Sequence, residues 1–415
     1  MSGDAITRRR GGSESGVAAR ALLDGRFERI SCAQRKPLWS VTIWDKKFNS
    51  VATGKQTTAI KYHYLLAGDL KEKIVPGGNV KLLTTSETDW WTTEDKVSGL
   101  VSEGEIVSIP WGGNPNVQYF KGRFVTADNR IATSSDKTVL DNKFLYYFML
   151  SKRNTIGSFY RGAGLKHPEM SKVLDMEIPL PNIEAQRSFA RCLDNVSKVI
   201  AARKMQLDSL SQLVKSRFVE MFGEIKYPER ELITVTSFID YRGKTPTKSD
   251  RGVPLITAKN VRANGFSLEP REYIPEELFA EWMTRGFPRV GDVLFTTEAP
   301  LGNVCRIPNL YDRFAVGQRI VTMQVMQDVL DSSYLEHALK SDAFQRKIRQ
   351  KSSGSTVTGI RSKLLEKLTI PIPPIALQRE FAAFVVKVDK LAFAVRKSLE
   401  SAEKLYRQQL SEAFA

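Results

Sequence analysis

The chain reads IPLPNIEAQRSFA from Ile178 to Ala190 and IPIPPIALQREFA from Ile370 to Ala382. Eight of the thirteen positions agree, at an offset of 192 residues. Proline fixes φ and lacks a backbone N–H, so Ile-Pro-x-Pro is an extended stretch that cannot lie inside a central strand. The residue before each proline is pushed out of the helical region as well. Asn182 then offers an N-cap and Glu184 a first-turn acid, where the helix dipole favours negative charge. Pro374, at the matching place in the second copy, suits a first helical position. Each copy therefore predicts a strand-like exit followed by a helix start. Two unrelated helix starts are the alternative.

The repeat extends both ways. Downstream, Phe189, Leu193, Val196, Ile200, Leu207, Leu210 and Val214 step by threes and fours, and only Arg203 breaks the seam. The second copy gives Phe381, Val385, Val388, Ala392, Val395, Leu399, Ala402 and Tyr406. Neither run contains proline or glycine, and the period is heptad-like. Each predicts a helix of roughly 38 residues, about 57 Å long; an ordinary amphipathic core helix is the alternative. Upstream, Gly104–Val107 lines up with Gly291–Leu294, Arg130-Ile131 with Arg319-Ile320, Phe144-Leu145 with Tyr334-Leu335, and Gly162 with Gly354. The repeated unit is thus a globular domain followed by a long helix.

Strands are expected at Val253–Ala258, Val293–Thr297 and Arg319–Val325, and a helix over Ser333–Gln350. Glu105–Ile109 and Lys143–Ser151 are the first-half counterparts. The order is not a βαβ alternation, which makes the class α+β. By repeat symmetry the two long helices run antiparallel, a coiled-coil-like pair that gives one chain a pseudo-two-fold.

The 415 residues carry 62 Lys and Arg against 46 Asp and Glu, a net charge of +16. Such a balance favours a polyanionic partner, most simply nucleic acid. Three scattered cysteines, Cys32, Cys192 and Cys305, offer no disulfide framework and no zinc spacing, which fits a reducing cytoplasm. No apolar run has the length of a membrane span. The first 29 residues, with Arg8-Arg9-Arg10 and Gly/Ser, read as a disordered lead.

Two divergent domains, each closed by an I-P-x-P…Q-R phrase and a long helix, resemble the specificity subunit of type I restriction–modification systems. GDVLFTTEAPLGNV at Gly291–Val304 and GKTP at Gly243–Pro246 agree, and the resemblance runs from about Arg35 to Ala415. It implies two target recognition domains, 30–182 and 224–374, each reading half of a split double-stranded DNA site. Spacer helices at 183–223 and 375–415 would separate the domains, after a lead over 1–29. It also implies a chain with no catalytic site or cofactor of its own. Two methyltransferase subunits would act on adenine, and motor–nuclease subunits could join them. S-adenosylmethionine, ATP and Mg would sit on those partners. Ile178–Ile183 with Gln186 and Arg187, and Ile370–Ile375 with Gln378 and Arg379, fall in the helix-start regions that support partner docking. No motif identifies the family's base-reading residues.

Phosphates are met by Lys, Arg and backbone N–H groups, and base edges by bidentate Arg, Asn or Gln. YRGKTPTKSDRG, Tyr241–Gly252, offers Arg242, Lys244, Lys248 and Arg251 among turn formers; a solvated basic loop is the alternative. RGAGLK, with Arg161 and Lys166, matches SSGSTVT at Ser352–Thr358, followed by Arg361 and Lys363. Lys259 and Arg319 add to the second half, and Lys121, Arg123 and Arg130 form a scattered set in the first. Trp90, Trp91 and Trp111 could stack on bases or pack internally.

A catalytic reading finds little. Asn114-Pro115-Asn116-Val117 lacks the second proline and aromatic residue of an amino-methylase motif. There is no GxxxxGK[ST] loop, and Glu94-Asp95-Lys96 has no Pro-Asp partner for a nuclease site. His63, His167 and His337 are isolated. An enzyme with an unrecognised site and a scaffold that binds only proteins are the rival readings.

Overall fold

The computed structural model describes residues 30, 33–45, 65, 70–86, 88–126, 129–241, 245–352 and 359–415. The expected lead over 1–29 lies outside them. The chain forms two compact units, residues 1–203 with 398–415, and residues 204–397.

In the first unit, β1 (Arg35–Pro37), β2 (Thr42–Trp44), β3 (Val80–Leu83), β4 (Trp90–Thr92), β5 (Ser102–Pro110), β6 (Gln118–Thr126) and β7 (Asn129–Ser134) precede helix α1 (Asn142–Ser151). Strand β8 (Glu177–Pro179) then leads into the long helix α2 (Ile183–Phe222). Six strands form one sheet in the order β2-β7-β5-β6-β3-β4. Register places Lys81 opposite Phe124 and Leu83 opposite Thr126. A flat sheet would therefore hold Gln118 and Thr84 about 30 Å apart, at about 3.3 Å per residue. Gln118 Nε2 nevertheless donates to Thr84 O at 2.8 Å, so the sheet is strongly coiled.

The second unit contains β9 (Glu229–Glu231), β10 (Thr236–Asp240), β11 (Val253–Ile256), β12 (Tyr273–Ile274), β13 (Val293–Thr296), β14 (Val304–Arg306), β15 (Ala315–Val316) and β16 (Ile320–Val325). Helix α3 (Ser332–Lys340), strand β17 (Thr369–Pro371) and the long helix α4 (Ile375–Ala413) follow. Its sheets are β10-β16-β13-β14 and β12-β11-β15. The helix expected over Ser333–Gln350 is broken at Ser341, whose ψ of 147° is extended. Ser341 donates its N–H to Ala338 O to close α3. Its hydroxyl accepts from Phe344 N at 3.3 Å to open the helix Asp342–Lys351. A serine satisfies both ends more readily there than it continues a helix.

The repeated phrase has one job in both units. Ile178-Pro179 belongs to β8, which pairs antiparallel with β1, Arg35 opposite Pro179. Ile370-Pro371 belongs to β17, which pairs antiparallel with β9, Glu229 opposite Pro371. The two-stranded ladder ties the start of each domain to its end, just before the long helix. Proline is tolerated because it lies at the end of a short ladder.

The long helices present their apolar stripes inward: Phe189, Leu193 and Val214 on α2, and Phe381, Val385, Val388, Ala392 and Val395 on α4, are all buried. In the first unit Phe189, near the start of α2, meets Phe414 after the end of α4, centroids 5.4 Å apart. In the second unit Phe222, ending α2, meets Phe381 near the start of α4 at 5.7 Å. Start meets end in each, so the helices run antiparallel.

Candidate nucleic-acid interface

The two glutamines of the repeated phrase are wholly buried. Gln186 Oε1 accepts from Asp141 N at 2.9 Å, while Nε2 donates to Val139 O and Pro181 O, each at 2.8 Å. Gln378 does the same with Asp331 N at 2.9 Å, Val329 O at 3.0 Å and Pro373 O at 2.8 Å. Asp141 and Asp331 are the N-caps of α1 and α3, their side chains accepting from backbone N–H groups of those helices. Each glutamine thus locks a long helix to its domain. This corrects any expectation of direct contact through the Gln186 and Gln378 side chains, which are wholly buried, and leaves the helix starts around them as the expected docking regions. Arg187 and Arg379 remain exposed. Arg187 pairs with Glu184 at 3.2 Å, and Arg379 donates to Gln327 O at 3.3 Å.

Arg130 is a second correction. It is buried, with its guanidinium 3.9 Å from the Trp111 ring centroid. Trp111 lies against His167 at 4.9 Å, and its carbonyl oxygen contacts His167 Nδ1 at 2.7 Å. This stack packs the domain and presents no guanidinium to a phosphate. Trp90 likewise packs against the cluster of Val80, Leu82 and Val125.

The remaining described candidates in the first unit are on the surface. Lys121 lies 4.0 Å from Glu105, and Lys137, which sequence reading missed, lies 3.6 Å from it. Arg123 pairs with Glu94. Arg161 pairs with Glu169 at 3.1 Å, opposite His167 in a small hairpin. Gly162 in that hairpin has φ +141°, and a Cβ there would meet Leu165 O at 2.6 Å. Only glycine fits this turn. Lys166 extends from the same turn, exposed and without an ion pair among the described residues.

In the second unit the structure brings candidates together in two places. Glu272 holds Lys248 at 2.9 Å and Lys259 at 3.0 Å. Burial works to raise its pKa, but the two ammonium groups outweigh that and hold it below the ordinary carboxylate value. Arg319 pairs with Glu298 at 3.0 Å. Arg319 O accepts from Thr297 N at 3.0 Å, and Thr297 O accepts from Ile360 N at 3.0 Å, which brings Arg361 to the same edge. Arg251, Arg361 and Lys363 are exposed with no ion pair among the described residues. Arg242, Lys244 and residues 353–358 lie outside the described residues. Exposed ion pairs such as Arg319–Glu298 and Arg123–Glu94 contribute about 0–1 kcal/mol, so those two cations can exchange a carboxylate for a phosphate at little cost.

Comparison with known proteins places this arrangement. A "Type I restriction enzyme MjaVIII specificity subunit" from Methanocaldococcus jannaschii is 22% identical over 330 residues, covering 74% of this chain and 77% of that one. The EcoR124I/EcoR124II specificity subunit of Escherichia coli is 23% identical over 298 residues, 68% and 71% of the two chains. Among solved structures, a type I restriction-modification S subunit from M. genitalium shares the fold with a TM-score of 0.59 at 18% identity, covering 92% of this chain and 96% of that one. The family described as the type I restriction modification DNA specificity domain matches residues 34–212 and again 221–402. With both halves of its repeat accounted for, the chain belongs to the type I restriction modification DNA specificity family.

Proposed function

We propose that this chain is the non-catalytic DNA-reading subunit of a type I restriction–modification complex. In this reading the domains at 30–182 and 224–374 each read one half of a split, asymmetric duplex site. The observation that supports it most is the pairing of one repeated joint with two different sheets. Two copies of a methyltransferase bind the chain and methylate adenine in the site, and motor–nuclease subunits cut unmodified DNA. S-adenosylmethionine, ATP and Mg belong to those partners, and the complex works in the cytoplasm. The long helices carry exposed apolar side chains suited to partners, among them Met205, Leu213 and Val219 on α2 and Leu391 and Phe393 on α4.

The test is the methylated motif in cells that express the chain with its methyltransferase. Replacing 30–182 with a foreign first domain should change one half of the motif and leave the other. Inserting four residues after Arg203 lengthens α2 by about 6 Å. DNA rises about 3.4 Å per base pair, so the gap between half-sites should grow by about one or two pairs with both halves unchanged. Loss of both half-sites on the domain swap, or turnover by the purified chain alone, would refute the reading.

A further inference from the structure

The first unit carries an open cavity of about 450 Å³ beside β3, β4 and β6. Its walls include four aromatic side chains in two pairs. Trp91 and Phe120 stand edge to face with centroids 6.1 Å apart, and Tyr119 and Tyr146 lie tilted at 5.9 Å. All four are half-buried. Trp91 Nε1 donates to Asp89 Oδ2 at 3.1 Å, which fixes the indole by its edge. The buried Lys81, opposite Trp91 across the ladder, pairs with Asp89 and holds its ammonium 5.4 Å from the indole centroid.

Two amides and Arg153 also line the cavity. Gln118 Nε2 donates to Thr84 O at 2.8 Å and Ser86 O at 3.2 Å, and Asn116 Nδ2 donates to Ser86 O at 3.2 Å. With the nitrogens so engaged, the oxygens remain as acceptors. The flat faces of the rings favour a planar ligand, and Asp89 with the two amide oxygens favours one that carries hydrogen-bond donors. A planar heterocycle with an amino group satisfies rings, acceptors and ammonium together. Side chains that read a paired base from a groove must project outward. A recessed site walled by rings instead suits the face of a base that has left the stack.

We propose that this cavity takes one unstacked nucleobase of the bound DNA, stacked on Trp91 and donating its exocyclic amino group to Asn116 and Gln118. Adenine and cytosine fit these acceptors. The inference rests on the DNA-reading function above and adds a specificity-determining pocket to the first recognition domain.

The test uses the assembled chain and methyltransferase with duplexes that carry an abasic site opposite each base of the first half-site in turn. Removing the pairing partner lowers the cost of extrusion, so binding should tighten at the position that enters the cavity. That gain should vanish in Trp91→Ala and in Gln118→Ala and return in Trp91→Phe. A base extruded by the methyltransferase itself would tighten binding regardless of Trp91. On intact target DNA, Trp91→Ala should weaken binding about tenfold, the usual scale for one base–ring stack, with non-target binding unchanged. AMP and CMP alone form the second arm. Saturable binding of either, undisplaced by target DNA, would assign the cavity to free nucleotides and overturn the proposal. So would the absence of any Trp91-dependent position while the complex still methylates a split site, which leaves the broader reading intact. Loss of all sequence-specific binding by the unaltered complex would remove both.

Discussion

In the first unit Phe144 of α1, Phe189 of α2 and Phe414 meet with centroids 5.2 to 5.8 Å apart. In the second, Phe222 lies 4.9 Å from Tyr334 of α3 and 5.7 Å from Phe381 of α4. The roles match one for one: a domain helix, the start of the helix leaving that domain, and the end of the other long helix. The buried glutamine, the aspartate N-cap and the two-stranded ladder match as well. The sheets do not. One unit has six strands in a coiled sheet, and the other has separate four- and three-stranded sheets. A joint tolerates little change because its glutamine is wholly buried with both ends of the amide hydrogen-bonded. The sheets and loops are free to differ, and the proposed reading of two unlike half-sites would use that freedom.

The largest test of equivalent joints is removal of the aromatic that each long helix delivers. Phe222→Ala and Phe414→Ala should each cost about 3–5 kcal/mol. Amide exchange should show the damage to be local. Phe414→Ala should expose α1 and the first turns of α2, while Phe222→Ala exposes α3 and the first turns of α4. Equal loosening of both units by either substitution would break the comparison.

Next in size are the glutamines. Gln186→Ala leaves Asp141 N, Val139 O and Pro181 O without their partner, and Gln378→Ala does the same to Asp331 N, Val329 O and Pro373 O. Unsatisfied buried groups cost about 1–3 kcal/mol each, and water entry recovers part. A loss of about 2–3 kcal/mol is expected at both sites by denaturant unfolding. A loss at one site alone would mean that the repeat is geometric and not energetic.

These two glutamines show what the sequence makes legible. Their repetition marks the joint, and the proline, cap and heptad signals place both long helices, because those are local rules. What a side chain faces is not local. Gln186 reads as a polar surface residue until its partners, 45 and 47 residues earlier, are known. Arg130 reads as a phosphate ligand but is a packed cation over Trp111, since alternation along a strand does not say which face is covered. The cavity depends on sheet coiling that brings Gln118 to Thr84, which no pattern in either strand announces. The break at Ser341 escapes the pattern because the apolar period continues through it.

Charge separates the units where the aromatics unite them. In the second unit Glu336 is buried between Arg306 Nε at 2.7 Å and Lys340 at 2.6 Å, and Arg306 also reaches Asp389 of α4 at 3.2 Å. The matching face of the first unit has Tyr147 donating to Asp194 at 2.6 Å, with Lys143 also 2.6 Å from Asp194. Burial works to raise the Glu336 pKa, but Lys340, Arg306 and His337 outweigh it and hold the carboxyl at about 2. A depressed carboxylate contributes stability above its unfolded pKa, near 4.5, and loses it as pH falls toward 2. At about 1.36 kcal/mol per pKa unit, the second unit should lose about 2 kcal/mol by pH 3 from this group. His337, whose pKa is lowered by burial, acts in the same direction as pH falls below about 6.5. Glu336→Gln should flatten the acid limb in amide exchange of α3. An unchanged limb would assign the acid sensitivity to other groups.

The smallest effect on stability is expected at Lys248 and Lys259, where the comparison turns to DNA. Both are exposed and share the largely buried Glu272, so replacing either one alone leaves that carboxylate a partner and should cost no more than about 1 kcal/mol in folding. If both also meet phosphates, the slope of log affinity against log salt should fall by about 0.9 for each phosphate that is no longer neutralised. The fall should be the same on target and non-target DNA, since phosphate contacts carry no sequence. Glu272→Gln separates the two roles of these lysines. It frees both ammonium groups, and affinity should rise at low salt if DNA competes with Glu272 for them. The first unit provides the control, because Lys121 shares Glu105 with Lys137 in a similar way. Lys121→Ala with Lys137→Ala should shift the slope alike if both units grip the backbone equally. A shift in one unit only would make that unit the anchor and leave the other to read sequence.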